Sequence, residues 1–238
     1  MSNLLNKIVV ITGGSSGYGK AAAGLFAAEG ARVIIVSRNG EHLKQAKQDI
    51  GNVDYFVADV TKPQDWEELY SYVKSQYGRI DILVNNAGGG VSIKDTIDQS
   101  VEDIDRIIEL NLNSVIYGSR LFGKMMKEQN GGTIINVSSV CAKQAWPGWT
   151  VYAAAKWGVL GFSKGLYVEL QPYNVRVTCI IPGAGNTNFR KNANMEEYPV
   201  KLEACDVARA ILDICKLPEH VVVEEYIVWG IDQQVIPL

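Results

Sequence analysis

From Lys7 to Trp229 the chain alternates short apolar runs with longer amphipathic ones, and few folds accept that alternation. The short runs fall at Lys7–Thr12, Ala31–Ser37, Asp54–Val57, Ile82–Val84, Thr133–Val137, Val175–Ile181 and Tyr226–Trp229. Most are rich in β-branched residues and too short for helices, so they read as strands. Between them, Lys20–Glu29, Gly40–Ile50, Gln64–Tyr77, Val101–Lys127, Tyr152–Leu170 and Cys205–Leu217 repeat apolar residues at helical spacing. Gly30 closes the first helix as a residue tolerant of positive φ, and Pro63 and Asp206 stand where helices start. Near-continuous apolar strands separated by helices require a parallel sheet covered on both faces. Right-handed crossovers then make that sheet doubly wound.

The expected fold class is thus α/β: a Rossmann-type, doubly wound parallel sheet of about seven strands, flanked by helices on both faces. No repeat, linker or low-complexity tract divides the 238 residues, so one domain is expected over 1–238. The formal net charge is -3, with Lys and Arg scattered, which leaves no basic stripe for nucleic acid. Leu4-Leu5 and Ile8–Ile11 are too short for a signal segment or a membrane span, so no membrane partner is expected. Cys141, Cys179, Cys205 and Cys215 lack CxxC spacing and read as reduced thiols of a cytoplasmic protein. With only His42 and His220, no metal site is expected.

In doubly wound sheets, ligands bind outside the carboxyl ends of the strands. Gly13, Gly17 and Gly19 follow the first strand, Asp59 the third, and Asn85-Asn86-Ala87-Gly88 the fourth. Ser138-Ser139 follow the fifth and Pro182-Gly183 the sixth. Thr12-Gly13-x-x-x-Gly17-x-Gly19 joins a strand to a helix, where glycines let the backbone approach a pyrophosphate that the helix N-terminus stabilises. Ser15, Ser16 and Tyr18 share that loop. Its spacing differs from the standard GxGxxG. The second strand ends Val36-Ser37-Arg38-Asn39, with no acid until Glu41. Ser37 and Arg38 therefore suit the 2′-phosphate of NADP(H) better than the ribose diol of NAD(H). Farther on, Tyr152 and Lys156 stand one helical turn apart. A fixed cation beside a phenol should lower its pKa toward neutrality and fit it for proton exchange.

Taken together, these motifs resemble the classical short-chain dehydrogenases/reductases over nearly the whole chain. The resemblance rests on Thr12-Gly13-x-x-x-Gly17-x-Gly19, Asp59-Val60, Asn85–Gly88, Asn111, Ser139, Tyr152-x-x-x-Lys156 and Pro182-Gly183 with Thr187. It implies NADP(H)-dependent hydride transfer between a small-molecule ketone or aldehyde and its alcohol. Tyr152 is then the general acid or base, and Lys156 holds the nicotinamide ribose and lowers the Tyr152 pKa. Ser139 donates to the substrate oxygen, and Asn111 anchors a water that relays protons to Lys156. Asp59 and Val60 flank adenine, Asn86, Ala87 and Gly88 back the cofactor, and Pro182, Gly183 and Thr187 close over the nicotinamide. The segment Val140–Val151 lines the substrate pocket, with Ser139, Cys141, Gln144, Trp146, Trp149, Gly183 and Phe189 as expected contacts. A lid is expected near 186–201, carrying Phe189, Met195 and Tyr198.

Three features depart from the family pattern. Tyr18 replaces a small aliphatic residue. Gly89-Gly90 lengthen the loop after the fourth strand and should loosen it. Ala184-Gly185-Asn186 lack the usual bulkier residue and acid. The C-terminal stretch also lacks the Gly-rich ending of many 3-oxoacyl carrier-protein reductases. Two other functions fit parts of the sequence. Gly13-x-Ser15-x-Gly17 formally matches a serine-hydrolase elbow, with only His42 or His220 as base. A nucleotide-binding sensor without turnover would need the glycine loop but no Tyr acid. Finally, apolar residues spread around two long helices predict a homodimer or homotetramer. They are Ile107, Leu110, Val115, Leu121 and Phe122, and Val159, Leu160, Phe162, Leu166 and Val168. The resemblance adds a second interface at Gln234–Leu238.

Overall fold

The computed structural model describes residues 4–193, 195–196 and 199–233. Seven parallel strands form one sheet in the order β3-β2-β1-β4-β5-β6-β7. They are β1 (Ile8–Thr12), β2 (Arg32–Ser37), β3 (Asp54–Val57), β4 (Ile82–Asn85), β5 (Gly132–Val137), β6 (Val175–Pro182) and β7 (Glu225–Val228). Their crossovers carry α1 (Gly17–Ala28), α2 (Gly40–Ile50), α3 (Pro63–Tyr77), α4 (Val101–Ile108), α5 (Ser114–Glu128), α6 (Thr150–Leu170), α7 (Phe189–Asn192) and α8 (Ala204–Cys215). Alternate residues of each strand serve opposite faces. Val9 and Ile11 join the core under α1, α2 and α8, whereas Ile8 and Val10 join the core under α3, α5 and α6. Full burial of one such side chain contributes about 1.5–3 kcal/mol, so both layers hold the sheet firmly. The strand order reverses between β1 and β4, and there the loops after β1, β4 and β5 diverge to open a cleft.

The helix expected over Val101–Lys127 is interrupted. Glu109–Asn113 form a π-helical turn between α4 and α5. Local side chains compete there for backbone carbonyls. The Asn111 amide takes Ile107 O at 2.9 Å, and the Ser114 hydroxyl takes Leu110 O at 2.6 Å. Such turns concentrate at functional sites. Two boundaries also shift: α1 begins at Gly17, and α6 begins at Thr150, which puts Tyr152 in its first turn. Short α7 was not legible in the pattern.

The expected subunit faces are mostly covered within one chain. Ile107, Val115, Leu121, Phe122, Val159, Leu160 and Leu166 are buried, and Leu110 and Phe162 are half-buried. Sheet, α3, α5 and α6 enclose these helices from more than one side. Only Val168 of the set is exposed. The C-terminal residues Gln234–Leu238 lie outside the described residues. Among the described residues, no helix is long and apolar enough to cross a membrane.

Candidate active site

Thr12 ends β1 and organises the cleft floor. Its hydroxyl donates to Val84 O at 3.4 Å and accepts from the backbone N–H groups of Asn86 and Ala87, each at 3.0 Å. Asn86 returns its side-chain amide to Thr12 O at 2.8 Å. The glycines admit that amide: a Cβ at Gly13 would stand 2.8 Å from Asn86 Nδ2, and one at Gly19 2.5 Å from it. Gly13 and Gly17 also hold φ of 66° and 53°, which favour glycine. Asn86 therefore shapes the loop from behind. Ser16 is exposed at the start of α1 and makes no side-chain cap, and the Ser15 hydroxyl donates to Ser37 Oγ at 3.2 Å. Ser15 thus meets a hydroxyl where a hydrolase would need an imidazole base, which removes the hydrolase alternative. Arg38 is exposed beside this corner. Asp59 accepts from Thr61 N and Oγ1 at 3.0 and 2.8 Å, and Val60 is buried with its carbonyl on Trp66 Nε1 at 2.8 Å.

The end of β5 fixes α6 across the cleft. Ser138 N donates to Ile180 O at 2.7 Å, and its hydroxyl donates to Lys156 O at 2.9 Å. Strand alternation turns Ser139 the other way, where its hydroxyl accepts from Cys141 N at 3.2 Å and lies near enough to the Tyr152 phenol to favour its ionisation. Lys156 is 3 % exposed, and its ammonium donates to Val137 O at 3.1 Å, 5.6 Å from the Tyr152 ring centroid. A Cβ at Gly88 would stand 3.1 Å from Asn111 Oδ1 and 3.5 Å from Lys156 Nζ. Asn111, Ser139, Tyr152 and Lys156 thus converge around the loop after β4.

Burial governs the electrostatics. It lowers the Lys156 pKa to about 8, with the Cys179 and Cys141 thiols opposing. It raises the Tyr152 phenol, with Cys141 adding and Ser139 opposing. This corrects the expectation that Lys156 brings the phenol toward neutrality: here loss of hydration outweighs any gain from the neighbouring cation.

Asn111 is fully buried in the π turn. It accepts from Gly89 N at 3.0 Å and donates to Gly89 O at 2.8 Å, besides its bond to Ile107 O. Both amide protons are spent on backbone, so the side chain holds the loop after β4 to the π turn. Gly90 O in turn accepts from Arg106 Nε at 3.2 Å. The Gly88–Gly90 stretch, expected to be loose, is pinned at two consecutive residues.

An aromatic wall covers the phenol. Trp149 meets Tyr152 edge-on at 5.6 Å and stacks on Phe189 at 6.3 Å, and Phe189 lies 5.8 Å from Tyr152. Cys141 and Trp146 pack in the same cluster, and burial raises the Cys141 pKa. Half-buried Gln144 donates its backbone N–H to Val140 O at 3.0 Å. Across the cleft, the Thr187 methyl would lie 3.5 Å from a Cβ at Gly17. The base of the expected lid is tied by Asn186 N to Leu202 O at 2.8 Å and by the Asn186 amide to the Glu203 carboxylate. Met195 lines a cavity beside α7, and Tyr198 lies outside the described residues. Gly183 N donates to Val228 O at 2.7 Å, and Gln233 hydrogen-bonds Ala184 O.

Two features escaped the sequence reading. A buried amide chain links the strand ends to the helices: Asn85 donates to Ser119 Oγ and Asn136 Oδ1 at 3.0 and 2.9 Å, and Asn136 to Ser163 Oγ at 3.0 Å. Asn136 in an otherwise apolar strand was its signal. Gln233, 50 residues from Gly183, left none.

A parallel sheet with this site at its switch point defines a nucleotide-linked α/β protein. The short chain dehydrogenase family model matches residues 7–198, and the chain belongs to that family, a family of oxidoreductases. An uncharacterized oxidoreductase of Staphylococcus aureus (strain MRSA252) is 34% identical over 227 residues, covering 94% of this chain and 97% of that protein. The 3-oxoacyl-[acyl-carrier-protein] reductase of Thermotoga maritima is 38% identical over 224 residues, 92% of this chain and 88% of that protein. Among solved structures, the closed form of serine dehydrogenase complexed with NADP+ superposes with a TM-score of 0.91 at 31% identity, covering 97% of this chain and 98% of that one. An alcohol dehydrogenase from the archaeon Thermococcus sibiricus, complexed with 5-hydroxy-NADP, gives 0.88 at 28% identity, with 97% and 99% covered.

Proposed function

We propose that this chain, one nucleotide-binding domain with a lid near 186–201, interconverts a small ketone or aldehyde and its alcohol with NADP(H), using Tyr152 as general acid and base. The observation that carries this reading is the convergence of the Ser139 hydroxyl, the Tyr152 phenol and the buried Lys156 ammonium on one cleft. Binding alone needs no such set, so a sensor without turnover explains less of the site.

The residues fit the cofactor. Gly13 and Gly19 let the loop close onto Asn86, and Gly17 keeps a side chain off its mouth opposite Thr187, with Ser15, Ser16 and Tyr18 in the same loop. The uncapped start of α1 offers backbone N–H groups to phosphate. Exposed Arg38, beside Ser37 and with no acid at the strand end, suits a 2′-phosphate. Asp59, Val60, Asn86, Ala87, Gly88, Pro182, Gly183 and Thr187 would serve the remaining length of the cofactor, and the solved relatives just described hold NADP+ and 5-hydroxy-NADP. When bound, NADP(H) supplies or accepts the hydride.

Ser139 hydrogen-bonds the carbonyl oxygen as charge gathers there. Tyr152 then passes its proton to that oxygen during reduction and takes it back during oxidation. Lys156, whose pKa lies near about 8, can exchange a proton with the phenol side of the site at ordinary pH. Asn111 positions the loop that faces both.

A panel of ketones and aldehydes with NADPH, followed by nicotinamide absorbance, tests this. Wild type should turn over at least one, and Tyr152→Phe should lose roughly 10²–10⁴-fold in kcat while still binding NADPH. Near-normal turnover in that variant would take Tyr152 out of the mechanism.

A further inference from the structure

The loop after β6 is held between the glycine loop and a turn that follows β7. That turn, Gly230–Gln233, is closed by Gln233 N on Gly230 O at 3.0 Å. The half-buried Gln233 amide donates to Ala184 O, and a Cβ at Gly183 would overlap Gln233 Oε1 and stand 3.0 Å from Trp229 Cε3. Gly183 is thus what lets the amide lie across the loop. In the same turn, Asp232 Oδ2 accepts from Lys201 N at 3.0 Å, beside Leu202, whose carbonyl accepts from Asn186 N at 2.8 Å. On the cleft side, a Cβ at Gly185 would stand 2.8 Å from Tyr18 Cζ, and one at Gly17 3.5 Å from the Thr187 methyl. Thr187 Oγ1 accepts from Phe189 N at 3.3 Å, and the Phe189 ring lies 5.8 Å from that of Tyr152. We infer that Gln233 is a positioning residue of the site: by holding Ala184 O it sets where residues 183–187 stand against the glycine loop and Tyr152, and so how the nicotinamide half of the cofactor is bound.

The sequence explains why this stretch needs a hold from outside. Ala184 and Gly185 have no polar side chain to cap their own backbone, and glycine has the most conformational freedom to lose. Gly183 N is tied to Val228 O at 2.7 Å and Asn186 N to Leu202 O, so Ala184 and Gly185 span the gap between two ties. The Gln233 amide takes the carbonyl in that gap. The effect has a direction along the cofactor. A dinucleotide with its phosphates at the start of α1 and its reactive carbon beside Tyr152 runs along the contacts of Gly17 with Thr187 and of Tyr18 with Gly185. Its adenosine end, at Ser37 and exposed Arg38, lies at the other side of the glycine loop, where Gln233 makes no contact. Loss of the amide should therefore weaken one half of the cofactor's grip and leave the other.

The inference rests on the NADP(H) reading and is tested apart from it. Calorimetric titrations compare NADPH with adenosine 2′,5′-bisphosphate, which has the 2′-phosphate end and no nicotinamide. The proteins are wild type, Gln233→Met, which keeps the length and removes the donor, and Gln233→Ala, which serves if the longer side chain packs badly. Both variants should bind NADPH about tenfold more weakly, the factor one hydrogen bond supports, and the bisphosphate as wild type does. Hydrogen exchange supplies a readout without nucleotide: the Gly183 and Asn186 amides should exchange about tenfold faster in the variants, and those of β5 at the wild-type rate. Unchanged NADPH affinity in both variants, equal losses for the two nucleotides, or unmoved exchange overturns the inference. If wild type does not bind NADPH, the cofactor reading fails; if it does not bind the bisphosphate, the comparison is lost. In both cases exchange decides: faster exchange at Gly183 and Asn186 alone supports the hold of Gln233 on the loop, and unchanged exchange refutes it.

Discussion

Replacing Lys156 with Met keeps most of the apolar stem and removes the charge, and the result should depend on pH in a way that few substitutions do. Lys156 is 3 % exposed, and burial lowers its pKa to about 8. In the unfolded chain the same ammonium titrates near ~10.4. Below pH 8 both states hold the proton, and the fold carries the full cost of a buried cation. Above ~10.4 neither state holds it and the cost is gone. Between these limits the unfolded chain binds the extra proton, so wild-type stability rises with pH. The displacement is worth about 3 kcal/mol. Met also forfeits the hydrogen bond to Val137 O, a net loss of about 1 kcal/mol. The variant should therefore be about 2 kcal/mol more stable than wild type near pH 7. The gain should shrink above pH 8 and become a deficit of about 1 kcal/mol near pH 10.5. Urea titrations of both nucleotide-free proteins at pH 6.5, 8, 9 and 10 measure the difference, in which all other titrations cancel. A difference that does not change with pH, or a variant less stable at pH 7, would refute the reasoning. The same variant should lose turnover, because a group destabilised by its surroundings is one the site keeps for its chemistry.

Asn111→Ala leaves Gly89 N, Gly89 O and Ile107 O without their side-chain partner; a loss of about 3 kcal/mol and a drop in Tm of roughly 10 °C are expected, and a calorimetric shift under about 2 °C would mean that water replaces the amide freely. Arg38→Ala should cut the NADPH-over-NADH preference in kcat/KM by about tenfold or more with the NADH value held, and an unchanged preference excludes Arg38 from 2′-phosphate recognition. Ala154, Trp157, Gly161, Gly165 and Val168 form an exposed stripe on α6. Light scattering after gel filtration should give a dimer or tetramer mass, which Gly161→Arg lowers; a monomer mass for wild type at micromolar concentration refutes an interface there.

The inner strands were legible because they are largely apolar on both sides and bounded by residues that cannot continue them, whereas the edge strands β3 and β7, without a buried residue, were legible by their β-branched and aromatic residues. β1 and β6, all apolar save Thr12, Arg176 and Thr178, show this best. Site residues just past the strand ends were legible for the same topological reason, since polar residues there border the cleft, although Asn85 at the end of β4 turns inward to Ser119 and Asn136. What the pattern concealed is contact between distant residues. Helical periodicity runs through Val101–Lys127 without a gap, because a π turn shifts phase by a single residue that a mixed apolar face absorbs. The glycines were read as making room for phosphate, yet Gly13 and Gly19 equally make room for Asn86, 67 residues beyond Gly19. The fate of the apolar helix faces was misread because spacing reports how wide a stripe is, and says nothing of how many layers cover it. The Tyr152 pKa was misread because sequence shows that a cation is near, whereas depth of burial is a property of the fold.

The departures from the family pattern explain one another. Tyr18 stands where the family pattern has a small aliphatic residue, and the stretch after Pro182-Gly183, Gly185 included, lacks the usual bulkier residue. In the fold they are a single feature: a Cβ at Gly185 would overlap the Tyr18 hydroxyl. The volume missing from one lip of the cleft is supplied by the other. The phenol that fills it is raised in pKa by burial and lies close enough to Tyr152 to disfavour its ionisation. The second pair of departures has the same logic. Gly89 and Gly90 remove side chains from the loop after β4, and Asn111 of the π turn and Arg106 of α4 occupy its backbone groups. In each case a residue that looks permissive in isolation is the complement of a large or polar one far along the chain. The cleft brings Ser139, Tyr152 and Lys156 together while the walls beside it are built from these complementary pairs, and in a fold whose sheet is shared by many chemistries such walls decide which substrate is admitted.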